Sequence, residues 1–224
     1  MTGRIGVTRV AITLPTLAAV LAPALAQDQI SEAALEKAKQ MTVMINATID
    51  GDTRPGAGII FGLAQGQIYI ATANHLVRRG LSKASDIQAE FKWLPGQPVA
   101  AQLLTSYDER ALDLAVIVVD AIKARLGQAR LPFDGVGDLA ILTRGSAVTA
   151  IGYPNGIAYD VSAGQISQME AVLVKYRVAG LVPGGYSGGP LVDRNGMIVG
   201  MIRQDQPPDG EATRIDLILR QLKA

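Results

Sequence analysis

Through most of this chain, apolar residues recur at every second position rather than every third or fourth, and that period commits it to β-structure. TVMINATI (42–49), GAGIIFG (56–62), QIYIATA (67–73), IQAEFKW (87–93), VAAQLLTS (99–106) and LAVIVVD (114–120) read as strands. DGDTRPG (50–56) and LAQG (63–66) read as the turns between the first three. Such a density of short strands is that of a small closed barrel. Residues 121–138 break the alternation and read as a surface connector. A second set follows: SAVTAIGY (146–153), YDVSAGQIS (159–167), AVLVKYRVA (171–179), GPLVD (189–193), GMIVGMIR (196–203) and EATRID (211–216). The pattern predicts an all-β chain of two six-stranded antiparallel barrels, about 42–120 and about 139–216, closed by a short helix over 217–224. A cleft between two such units is the natural place for a site.

The first 26 residues stand apart. Arg4 and Arg9 precede an apolar run over 10–25, and Ala24-Leu25-Ala26 places small residues where a signal peptidase reads. The run holds Pro15 and Pro23 and falls short of the ~20 apolar residues of a membrane span. Residues 1–26 are therefore expected to be a cleaved signal peptide, and the mature protein periplasmic or secreted, with no membrane span. Residues 27–41 form an N-terminal extension with a helix over 31–40. Ser31 can cap it, Glu32 suits its start, and Lys37 and Lys39 suit its end. An oligomer contact, core packing and a loose tail are all open for that helix, so a homo-oligomer is possible.

Composition removes whole classes of function. Lys and Arg total 21 against 20 Asp and Glu, which leaves no basic footprint for nucleic acid. The absence of cysteine excludes disulfides, zinc fingers and iron–sulfur sites, and a single histidine excludes most His-based metal sites. No metal or cofactor is expected. An exported chain without disulfides must hold itself together by packing.

Three positions carry chemistry. His75, in IATANHLV, stands where a strand ends; a lone histidine is more often a surface or packed residue. Asp113, in ALDLAVIVV, directly precedes an apolar strand, and its plain reading is a turn carboxylate. Asp108 is its rival. Ser187, in GGYSGGPL, is flanked by glycines that permit a tight loop. The amides of Gly185 and Ser187 can then converge as an oxyanion hole, although the same letters also suit a hairpin turn. Taken together, the His, Asp, Ser order with two residues on the first barrel and one on the second favours catalysis.

These segments resemble the trypsin/chymotrypsin-like serine proteases, closest to the HtrA/Deg type. GAGIIF with IATANHLV is similar to that family's histidine region, and DLAVIVV to its aspartate motif. AIGYPNGIAYDVSAGQIS is similar to its Gly-x-Pro-x-Gly loop and following strand, and GGYSGGPLVDRNGMIVGM to its serine loop. The resemblance spans about Met41 to the end. It implies a trypsin-like double barrel over 42–224 and a serine endopeptidase with His75, Asp113 and Ser187 as the triad, acting on polypeptides through an acyl-enzyme.

Departures from the family pattern are specific. Tyr186 stands where trypsins have Asp and HtrA-type enzymes usually Asn, so activation by an inserted N-terminus is not expected. Leu181 stands six positions before the serine, where trypsins place the charged base of the specificity pocket, and an apolar residue there implies small or aliphatic side chains rather than Lys or Arg. Arg203, Gln204 and Asp205 lie on the strand expected to pair with substrate backbone. No residues follow for a PDZ domain of the kind HtrA-type enzymes commonly carry, so capture through one is not expected.

An inactive protease-like module that binds peptides in its cleft is the alternative. An esterase with the same triad is chemically allowed, but no strand–elbow–helix motif appears. With His75 as base, activity should rise with pH as the imidazole loses its proton, near its reference value of ~6.5. A rate profile measured from about pH 5 to 8 tests this, and a flat one removes His75 from the role.

Overall fold

The computed structural model describes residues 30–106, 112–129, 131, 135–156, 159–178, 184–206 and 209–223. The expected signal peptide lies outside them. Helix α1 (Glu32–Gln40) leads into β1 (Thr42–Ile49), β2 (Asp52–Ala64) and β3 (Gln67–Ala73). A single helical turn, α2 (Asn74–Val77), and a small hairpin, β4 (Arg78–Arg79) with β5 (Ser82–Lys83), come next. Strands β6 (Asp86–Phe91), β7 (Val99–Ser106) and β8 (Leu114–Asp120) complete the first half. The second half holds β9 (Ala147–Gly152), β10 (Asp160–Met169), β11 (Leu173–Val178), β12 (Pro190–Asp193), β13 (Ile198–Gln206) and β14 (Asp209–Arg214), then α3 (Ile215–Lys223). The two sets close as separate antiparallel barrels, β1-β2-β3-β8-β7-β6 and β10-β11-β14-β13-β12-β9.

Turn chemistry corrects the reading of residues 50–56. The turn is only Asp50-Gly51, with φ of 52° and 86°, and Gln65-Gly66 repeats the device at 51° and 75°. Two left-handed residues match the twist of the strands they join. β2 therefore starts at Asp52 and includes Pro55, which pairs with Asn46 of β1. Proline is tolerated there because pairing with β3 begins only at Gly58, so no ladder partner waits for its missing N–H. The β4–β5 hairpin has two residues per strand and shows no alternation to read.

Each barrel has its own core, and a third apolar cluster fills the seam between them. Val43, Ile45, Ile70, Phe91 and Ile117 fill the first barrel, and Val148, Ile166, Tyr176, Leu191 and Ile202 the second. Ile59, Leu114, Ile151, Val192, Met201, Ile215 and Ile218 make the seam. β8 has the two-sided burial that explains its unbroken apolar run: Ala115, Ile117 and Val119 point into the barrel while Leu114 faces the seam.

Helix α1 joins this packing. Ser31 Oγ caps it by accepting from Ala34 N–H at 3.2 Å, and Ala38 is buried in the seam. Glu36 pairs with Lys39 at 3.1 Å and with Lys92, and these hydrogen bonds hold its carboxyl below the usual range. The Tyr159 hydroxyl shares its single proton between the carbonyls of Lys39 (2.8 Å) and Thr42 (2.9 Å). Burial drives the hydroxyls of Tyr153 and Tyr159 well above the usual phenol range, so both stay neutral donors. Among the described residues no helix is long and apolar enough to cross a membrane.

Because the terminal helix docks on the seam, Ile218→Ala should cost about 2–5 kcal/mol in urea denaturation. Ile122→Ala, at a site 87% exposed, should stay within about 0.5 kcal/mol.

Candidate active site

β3 runs to Ala73, and the chain then turns through α2, which places His75 at the rim of the first barrel. β8 pairs with β3 in the register Ala73↔Leu114, so the turn that follows β3 and the residue that precedes β8 are brought together. Asp113 is consequently set against His75. Its carboxylate accepts the His75 backbone N–H through Oδ1 at 3.0 Å, and Oδ2 lies 2.7 Å from Nδ1. The Asp113 side chain is 3% exposed and that of His75 28%, so the carboxylate is sealed and the ring keeps one edge toward solvent.

Asp113 holds this position in the left-handed region, at φ 48°. A non-glycine residue there stores about 1–3 kcal/mol of strain. Its surroundings fix it: the Asp113 carbonyl accepts Asn74 N–H at 2.9 Å, and Thr213 Oγ1 of β14 donates to Leu112 O at 2.7 Å. Thr213 therefore ties the second barrel to the aspartate turn. Its place in ATRID carries no local sign of that role, because the contact spans 101 positions. Asp108, the rival carboxylate, lies outside the described residues.

Ser187 comes from the second barrel and sits directly on the first. Its carbonyl accepts Ala57 N–H from β2 at 2.8 Å, and its Oγ donates to Arg203 O at 3.3 Å. Gly188 follows at φ 85°, with N–H to Ile202 O at 2.7 Å. A Cβ on Gly188 would stand 2.1 Å from Ala57 O, 2.5 Å from Thr72 Oγ1 and 2.9 Å from Ala73 N. The glycine after the serine is thus also the point where the barrels touch, within two residues of His75.

The remaining expected site residues fall as follows. Gly185 is buried at φ 119°, and its carbonyl accepts Tyr153 N–H at 3.1 Å. Among the described residues neither the Gly185 nor the Ser187 N–H donates to another backbone group. Arg203 is half-buried on β13. Gln204 and Asp205 pair through their backbones with Glu211 and Gly210 of β14, while pairing with β12 ends at Pro190↔Met201. Their side chains, and Leu181 altogether, lie outside the described residues. No group of three or more potential metal ligands occurs among the described residues.

Gly188→Ala should destabilise the protein by at least ~2 kcal/mol in chemical denaturation, because both backbone conformation and space are wrong. Gly80→Ala, also at positive φ but with nothing within 4 Å, should cost clearly less.

Known proteins share this double-barrel fold. The family model described as a trypsin-like peptidase domain matches residues 56–201. The serine protease Do-like HtrA of Bacillus subtilis (strain 168) is 30% identical over 166 residues, which cover 68% of this chain and 34% of that protein. The structure titled HtrA-type protease AlgW with tripeptide superposes with a TM-score of 0.67 at 24% identity, covering 85% of this chain and 61% of the other. The serine endoprotease from Yersinia pestis gives 0.67 at 23%, covering 85% and 64%. The chain thus spans about a third of the curated relative's length and under two thirds of these two structures. With two closed six-stranded barrels and a family match over more than half its length, the chain belongs to the trypsin-like peptidase family.

Proposed function

We propose that this chain is an exported serine endopeptidase that cleaves polypeptides through an acyl-enzyme. The observation that carries the reading is the sealed Asp113 carboxylate bonded to both the backbone N–H and Nδ1 of His75, with the Ser187 segment hydrogen-bonded to the strand beside them. In this reading Asp113 accepts Nδ1–H, which leaves Nε2 as the base and stabilises the imidazolium once it forms. His75 takes the Ser187 Oγ proton as the oxygen attacks a peptide carbonyl. The Gly185 and Ser187 N–H groups receive the developing oxyanion, each contributing ~3 kcal/mol or more. His75 then returns the proton to the leaving amine, and water reverses the sequence to free the serine.

Substrate would lie along residues 203–205, whose β12-side pairing has ended, and so add a strand to the second barrel. Leu181, six positions before the serine, where the resemblance puts the base of the specificity pocket, supports a preference for small or aliphatic side chains. Residues 1–26 support export to the periplasm or beyond, and assembly into a homo-oligomer is compatible with the fold. The second reading, a peptide-binding module without turnover, draws on the Ser187 Oγ bond to Arg203 O. Catalytic hydrogen bonds are often loose in a site without substrate, so that bond weighs little.

Fluorophosphonate labelling of the purified chain decides between them. Wild type should label and cleave casein. Ser187→Ala should lose labelling and drop in turnover by about 10⁴-fold or more. A folded wild type that neither labels nor cleaves establishes the binding module instead.

A further inference from the structure

Tyr186 stands immediately before the serine, and its ring is fully buried in the core of the second barrel. Its hydroxyl donates to Asp160 Oδ2 at 2.7 Å. Asp160 opens β10 directly opposite Gly152 of β9, and its other oxygen accepts the Val161 N–H at 2.8 Å, which fixes the carboxylate. The ring lies across Gly152: a Cβ there would stand 2.6 Å from Tyr186 Cα and 2.7 Å from ring atoms Cγ and Cδ1. Three separate features, an absent side chain, a buried ring and a fixed acceptor, therefore converge on one residue of the serine loop.

That residue's backbone links the two amides of the site. Gly185 precedes it, wedged so that a Cβ would meet Tyr153 O at 2.3 Å and Pro154 Cα at 2.8 Å. On the other side the Tyr186 carbonyl accepts Gly189 N–H at 2.8 Å, which closes the turn around Ser187. Rotation of either peptide would drag the Tyr186 Cα across Gly152 and pull its hydroxyl from Asp160. We propose that Tyr186 and Asp160 form a latch that positions the Gly185 and Ser187 N–H groups of the oxyanion site, with Gly152 as the seat of the ring. Tyr186 is a positioning residue, since it acts through its neighbours and touches no substrate. The latch rests on the endopeptidase reading for its effect on rate, and it differs from a carboxylate or amide at this position in needing no charged N-terminus to complete it.

Tyr186→Phe keeps the ring in its seat and removes only the hydroxyl; Asp160→Ala removes only the acceptor. Both are compared with wild type by peptide kinetics normalised to fluorophosphonate-titrated sites, by thermal melting, and by hydrogen exchange over residues 184–189. The latch predicts kcat per titrated site about 10-fold lower in each variant with KM within about 2-fold, and faster exchange confined to that loop. The double variant should lose no more than either single one. A role in stability alone would lower melting temperature and the titrated fraction but leave per-site kcat and loop exchange at wild-type values, and that result overturns the proposal. Should wild type itself neither label nor cleave, the endopeptidase reading fails, and exchange alone decides the latch: faster in both variants sustains it, unchanged sinks it.

Discussion

The hydrogen bond from Ala57 N–H to Ser187 O joins the two barrels beside the His75–Asp113 pair. It needs the serine loop to lie flat against β2 and the end of β3, which Gly188 permits by having no side chain where Ala57 O, Thr72 Oγ1 and Ala73 N crowd in. Everything else about the site is arranged around that approach. Moving the barrels apart by an ångström would open the seam cluster of Ile59, Leu114, Ile151 and Ile218 and leave Ser187 out of reach of the first barrel. The apolar seam thus sets the distance between groups that carry polar chemistry.

Strain and burial are concentrated on the aspartate. Asp113 adopts a left-handed backbone, and its carboxylate is almost wholly enclosed, two unfavourable features for a single residue. They persist because hydrogen bonds meet it from His75, Asn74 and, through Leu112, Thr213. A carboxylate so fixed can hold one imidazole nitrogen and leave the other to face the cleft. Helix α1 adds a second tie across the molecule, with Glu36 bonded to Lys92 and the Lys39 carbonyl of its last turn accepting from Tyr159. Local departures from low-energy geometry are thereby supported by contacts from both halves of the fold.

Tyr186 shows how a departure from a family's usual residue can be absorbed. A large ring beside Ser187 would ordinarily crowd the loop. Gly152 leaves room for it, and Asp160, on the neighbouring strand, supplies a partner for the hydroxyl. The β9–β10 ladder sets Gly152 opposite Asp160, and Tyr186, 26 positions beyond the aspartate, is brought onto that pair only by the folded serine loop.

Strand positions, the division into two barrels and the terminal helix were legible in the residue pattern, because a period of two and the punctuation of glycine and charge act over a few residues. His75, Asp113 and Ser187 were also legible as candidates, since each stands next to a local feature its chemistry needs. What local pattern could not supply was pairing. That Pro55 can lie within β2 follows from which of its sides carries a partner strand; that Thr213 holds the aspartate turn and Asp160 the tyrosine follows from ladder register. Register depends on barrel closure and on the packing of the seam, interactions between residues dozens of positions apart, and those come into being only when the chain is folded.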